Sequence, residues 1–362
     1  MGDKETIKYT APFIWDNTEI FDEIVRLSPE PRETRQPSST WYAHPIIVER
    51  MKKKKNYQQL AIKYETKRDL FSYSSICEYG VIQSACKITN VGTIYNMKTS
   101  TYYTNGGCRC RDLNTEQIPL DEGIYQATDH PVISVTELWG HGIWHFPFEV
   151  FVALCTMPKH ILHTSIIHVN EKTQYVMWWI SQLGINPAHV VCGHIYSKRL
   201  TFIPRLGKCG NPYVNQIYHL QHTIKRHIPP SMPDKYVTIV KRTKARITKN
   251  FDELLTIVTQ FAESIGLQVY IHDDSKLPDL LMQQGAFHQS QYVFAPHGAA
   301  GIHIPAMKPG AHYIEILDDG LYMNMCYARV AYWTNINYYA IPMYNSVVEI
   351  NNVKDIIKKL KK

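Results

Sequence analysis

The chain has 362 residues, 44% hydrophobic and 20% charged, with a formal net charge of +7. That composition excludes disordered, collagen-like and disulfide-scaffold proteins, and the length suits two ordinary domains better than one core. No run approaches the ~18 apolar residues of a membrane span, and Met1–Thr10 is polar and charged, so a cytoplasmic chain with no transmembrane segment is expected.

Residues 1–74 read as an N-terminal extension without a clear pattern. Pro29, Pro31 and Pro37 mark turns, and 48–66 looks like a basic helix carrying Lys52-Lys53-Lys54-Lys55. Short β-rich runs follow at 80–82 and 93–95, then a loop from Asn105-Gly106-Gly107 to about 123. From Pro131 strands and helices alternate: strand 132–135, apolar helix 146–157, strand 161–169, and a helix 172–183 with Val176, Trp179, Ile180 and Leu183 at helical spacing. Short strands at 190–192 and 200–203 close this region. Pro229-Pro230-Ser231-Met232-Pro233 reads as a linker between domains.

After it the alternation is cleaner. A strand at 236–240 leads to a helix opened by an Asn250/Glu253 capping pair and stopped by Gly266. Strand 268–271, helix 278–286, strand 292–295, a small-residue turn and strand 312–316 complete a β-α-β-α-β-α-β order. The fold class expected is α/β, with two Rossmann-like domains facing across a cleft: 75–228 on the acceptor side and 234–345 on the nucleotide side. Residues 346–362 form a last helix, with Val353, Ile356, Ile357 and Leu360 on one side, that packs back. None of the eight cysteines makes a C-x-x-C pair, so reduced, mostly buried thiols are expected rather than a zinc ribbon.

Two stretches point to an anion. The strand at 236–240 runs into Lys241-Arg242-Thr243-Lys244-Ala245-Arg246, four cations in six residues at a strand end. The strand at 292–295 delivers Ala295-Pro296-His297-Gly298-Ala299-Ala300-Gly301 to the same edge, where bare backbone N–H groups and a helix start favour phosphate. Small residues there also serve close strand–helix packing, and short lysine runs are commonly solvated faces.

Residues 237–316 resemble the DUF563 family of inverting glycosyltransferases, which includes plant β-1,2-xylosyltransferase, xylan arabinosyl- and xylosyltransferases and animal O-linked N-acetylglucosaminyltransferases. The residues that carry the likeness are Lys241, Arg242 and Arg246; Asn250, Asp252 and Glu253; Pro296, His297, Gly298 and Ala299; and Met307, Pro309, Gly310, Ile314 and Glu315. The stretch from Gly140 to Glu149 is similar to the family's His-Phe/Trp-x-x-Glu/Asp segment. Ala300 stands where the family has a second glycine, and Ile302-His303 replaces its usual Thr-Asn. The resemblance implies a two-domain GT-B enzyme that takes a UDP-sugar, xylose first and N-acetylglucosamine second, and glycosylates a glycan or glycoprotein acceptor.

Glycosyl transfer needs a stabilised leaving diphosphate and a base for the acceptor hydroxyl. The metal-holding tripeptide Asp-x-Asp is absent from the sequence, so Lys241, Arg242, Arg246 and the His297–Gly301 loop are expected to neutralise the diphosphate, with no metal and no cofactor beyond the donor. Glu315 is expected to accept from ribose hydroxyls. His145 is the expected base, with Glu149 four residues on to orient it and His141 and Asp121 as substitutes. A nucleic-acid partner is disfavoured because the basic runs lack interleaved aromatics. An inactive glycan-binding relative is the other alternative.

Overall fold

The computed structural model describes residues 21–27, 39–53, 77–104, 124–137, 139–207, 212–318 and 326–361. They divide into two compact units, one of Met1–Pro29 with Ile76–Cys209 and one of Glu30–Ser75 with Gly210–Lys362. The chain is a mixed α/β protein. The division falls ahead of the helix Val214–Lys225, not at the proline-rich stretch 229–233. That helix buries Ile217, Leu220 and Ile224 and packs on the helical segments Ala299–Ala306 and Cys326–Trp333, so its apolar face commits it to the second unit.

The second unit is built on a parallel sheet. In chain order its main strands are Tyr236–Lys241, Gln268–Asp273, Ser290–Pro296, His312–Asp318 and Asn337–Tyr344, and in space they run second, first, third, fourth, fifth. This is a doubly wound order whose switch point lies between the first and third strands. Val237, Ile239, Phe294, Ile314 and Ile316 join Leu254, Val258 and Phe261 of the helix Phe251–Ser264 in one core, together with Val353 and Ile356 of the C-terminal helix Ile350–Leu360. Strand residues alternate faces, so Thr238, Tyr313 and Glu315 stand on the other side.

Three local details add to or differ from sequence expectation. Asn250 and Glu253 pair as expected, with the Asn250 amide donating to Glu253 at 3.2 Å, but Asn250 accepts no backbone N–H of its helix and exchanges hydrogen bonds with Val348 (2.8 and 3.0 Å), tying the helix start to the strand Val347–Val348. The strand Trp41–Ala43, from the extension left unassigned, pairs in parallel with Asn337–Tyr344 and extends the sheet. The predicted basic helix starts earlier, at Pro45; it is described as Pro45–Lys53, and its later residues lie outside the described range.

The first unit is not a plain Rossmann sheet. Its six-stranded sheet has a parallel part, Thr201–Pro204, Val132–Ser134, Ile166–His168 and Val190–Val191, flanked by antiparallel Glu78–Ile82 and Glu23–Arg26. A second, five-stranded sheet is a largely antiparallel arrangement of the β-rich runs that the sequence left as isolated strands. The stretch 161–169, read as one strand, is a helix Lys159–Thr164 followed by the strand Ile166–His168. An apolar run of that length does not distinguish the two periods. Among the described residues no helix is long and apolar enough to cross a membrane.

Candidate active site

In the second unit the chemistry gathers at the carboxyl ends of the first and third strands, where a doubly wound sheet receives ligands. Lys241 and Arg242 are consecutive and diverge. Lys241 Nζ lies 3.5 Å from Asp273 of the neighbouring edge strand, whereas the half-buried Arg242 turns toward the third strand and donates from one terminal nitrogen to the His297 carbonyl at 3.5 Å. The Arg242 Nε is buried with no hydrogen-bond partner. Burial first, and the charge of Arg246 second, hold the Arg242 pKa below its ordinary value, while Asp274 opposes them. Arg246 adopts a left-handed backbone (φ 57°), a strained conformation for a residue with a side chain. The two guanidinium groups repel each other, and Arg242 keeps one donor unsatisfied.

The small-residue loop is shaped by that arginine. A Cβ on Gly298 would fall on the Arg242 guanidinium, and one on Gly301 would enter the Tyr327 ring. Ala299–Ala306 forms a 3-10 helix containing Pro305, which removes an amide donor and explains why no α-helix follows the turn. The two departures from the family pattern are explained here. Glycine is needed at 301 for the approach of Tyr327, and His303 is core, 2% exposed, packed on Phe287 and His272 and bonded to Gln283 at 3.2 Å.

Glu315 differs from expectation. It is fully buried, with one carboxylate oxygen held by His297 Nδ1 and the other accepting from the Tyr338 hydroxyl. Strand alternation turns it inward, so it positions His297 and its buried oxygens are out of reach of a ribose. The His297 ring also packs on Tyr327 at 4.8 Å.

In the first unit the second cluster stands past the end of the strand Val132–Ser134. Glu137 follows that strand, and Asn170 clamps its backbone, accepting from the Glu137 N–H at 3.2 Å and donating to the Glu137 carbonyl. The segment expected to be an α-helix opens as a π-helical turn, Phe146–Phe151, before Val152–Cys155 becomes α. Pro147 in its first turn has no N–H to give, and such turns recur at functional sites. His145 caps this turn, and its Nδ1 lies 2.9 Å from Glu149 Oε1.

Burial sets the electrostatics. Glu137 and Glu149 are 0% and 1% exposed, and His145 keeps 24% of its side chain in solvent. Both Glu137 oxygens and Glu149 Oε2 are buried without a hydrogen-bond partner. Burial pushes Glu149 up to about 8 and drives Glu137 well above the carboxylate range, where the nearby Glu149 charge adds to the shift. Burial also lowers His145, against the opposing pull of Glu137. One ligand atom from each of Glu137, His145 and Glu149 lies within 4.8 Å of the others. Trp139 stacks beside the imidazole at 6.4 Å.

The expected site residues thus separate. His145 and Glu149 meet; His141 is exposed in the preceding turn, outside this group; Asp121 lies outside the described residues. Glu137 was missed. An acid directly after an apolar strand was its only signal.

The chain is thus an α/β protein with an arginine pair at the switch point of one sheet and a buried carboxyl–imidazole group in its other unit. The model of the family described as Glycosyltransferase 61 matches residues 143–314. This stretch, a little under half of the chain, is similar to that DUF563-related glycosyltransferase family and supports a kinship with it. It contains His145, Glu149, Arg242, Arg246 and the His297–Gly301 loop, and leaves out Glu137. Comparison with curated proteins gives no match.

Proposed function

We propose that the protein is an inverting glycosyltransferase of GT-B type that moves a sugar from a uridine diphosphate donor, xylose before N-acetylglucosamine, to a hydroxyl of a glycan or glycoprotein. The observation that carries the reading is the Arg242–Arg246 pair beside the His297–Gly301 loop. Two mutually repelling cations with a buried, unsatisfied Nε gain most from a diphosphate, whose charge grows as the glycosidic bond breaks. These groups do the work for which many transferases use a metal held by Asp-x-Asp, so the donor site operates without one.

The acceptor proton goes to His145. When Glu149 is ionised, His145 Nδ1–H donates to it, and Nε2 presents its lone pair to the hydroxyl. Oxygen attacks the anomeric carbon as the bond to the diphosphate breaks, the proton ends on Nε2, and UDP leaves on the arginines. The test is a panel of sugar nucleotides scored by thermal shift and then by transfer in excess EDTA. A UDP-sugar that stabilises the chain and turns over undiminished in chelator is expected; activity abolished by EDTA contradicts the metal-free donor site.

A further inference from the structure

The carboxyl–imidazole group holds more negative capacity than its proposed chemistry uses. Orienting His145 takes one oxygen of Glu149. The remaining Glu149 oxygen and both oxygens of Glu137 are buried with no donor from outside the group, and the two carboxyls face each other. Buried carboxylates without a counter-charge are costly, and among the described residues no Lys or Arg appears among the groups that act on either carboxyl. Glu137 is not loosely placed, since Asn170 fixes its backbone from both sides. A buried carboxyl on a clamped backbone, with no donor from outside the group, points to a ligand.

We propose that Glu137, His145 and Glu149 bind a divalent cation of the zinc class, and that the bound cation takes His145 out of service as a base. Two carboxylates and a dication sum to zero charge, which removes the cost of burying the acids. One imidazole nitrogen among the ligands favours zinc over magnesium or calcium, which prefer all-oxygen shells. The partial exposure of His145 leaves a way in and a place for a fourth ligand. The nitrogen turned toward Glu149 is Nδ1. A neutral imidazole ligated through Nδ1 carries its proton on Nε2, and Nε2 can then only donate. The silencing clause rests on the glycosyl-transfer reading; the binding clause does not.

The test titrates Zn2+, Mg2+ and, as a spectroscopic probe, Co2+ into the full chain and its Glu137→Gln and His145→Ala variants, each checked for native circular dichroism. Expected are one Zn2+ per chain, at least tenfold weaker binding in both variants, and weak Mg2+ binding. Co2+ should give visible ligand-field bands without the near-ultraviolet charge-transfer band of sulfur ligation. The Co2+ spectrum needs no variant, so a misfolded variant leaves the site testable. An absent isotherm, unchanged affinity in Glu137→Gln, or a sulfur band from the exposed Cys192 overturns the site. Zn2+ should also suppress transfer and EDTA restore it; Zn2+ bound at the site with transfer unchanged overturns the silencing. If no sugar nucleotide turns over at all, glycosyl transfer fails while the isotherms still decide the cation site.

Discussion

The two units each bury polar groups that await a partner, guanidinium in one and carboxyl in the other. In the second, Arg242 and Arg246 repel each other at the switch point of a parallel sheet, and Arg242 Nε has no acceptor. In the first, Glu137 and Glu149 crowd an imidazole past the end of the strand Val132–Ser134, with three carboxylate oxygens lacking donors. Each cluster sits beyond the carboxyl ends of parallel strands, where loops leave the sheet and side chains converge. The difference is in what relieves the stress. An anion satisfies the arginines, whereas a proton or a cation satisfies the acids. A fold optimised for stability alone would pair such groups internally, so an unrelieved cluster of either kind marks a place for something that arrives.

Four experiments sharpen or break this contrast. The largest effect is expected in the acidic cluster. His145→Ala should reduce kcat by roughly 10²–10⁴-fold, the usual worth of a general base, while leaving UDP affinity near wild type. Loss of both together would mean that the two clusters do not divide the labour.

In the basic cluster, Arg242→Ala should weaken UDP binding by about 1.5–3 kcal/mol, the range for a charged hydrogen bond, as read by calorimetry. Gly298→Ala should act in the same direction by displacing the guanidinium. Unchanged affinity in Arg242→Ala would show that the arginine pair has another purpose.

Next in size is Gly301→Ala. Its methyl group meets the buried Tyr327 ring, and overpacking of this kind costs about 1–3 kcal/mol. Chemical denaturation should show the loss. A variant as stable as wild type would mean that the family's shifted glycine is not explained by Tyr327.

The smallest effect separates the clusters by pH. Glu149, raised to about 8, must lose its proton before it accepts from His145 Nδ1–H. Rate should therefore climb with pH through about 8, changing about tenfold per unit below that limb. Stability should move the other way. The folded state binds more protons at Glu149 than the unfolded chain does, so the contribution of this group is present below the ordinary glutamate value of 4.5 and lost as pH rises toward 8. A rate limb below pH 6, or a stability that rises across this window, would contradict the assignment.

Much of the second unit was legible because its strands are buried on both faces and read as apolar runs between a capped helix and small-residue turns. Arg242 and the His297 loop followed from strand-end chemistry. Sequence alone could not show which way each side chain turns. Lys241 and Arg242 look equivalent in a basic run, yet one residue along a strand separates the Asp273 side from the His297 side. Glu315 at a strand end was expected to meet a ribose, but register and Tyr338 place it inside. The first unit was less legible, since its antiparallel sheet comes from short strands separated in sequence. Glu137 joins His145 and Glu149 only through tertiary structure, which no local period records.

The most direct measurement is calorimetric titration of UDP into the wild-type chain and the Arg246→Ala and His145→Ala variants in the presence of EDTA. The account predicts binding in wild type and His145→Ala, and a loss of at least tenfold in Arg246→Ala. Equal UDP affinity in all three proteins would contradict the arginine pair as the nucleotide-sugar anchor.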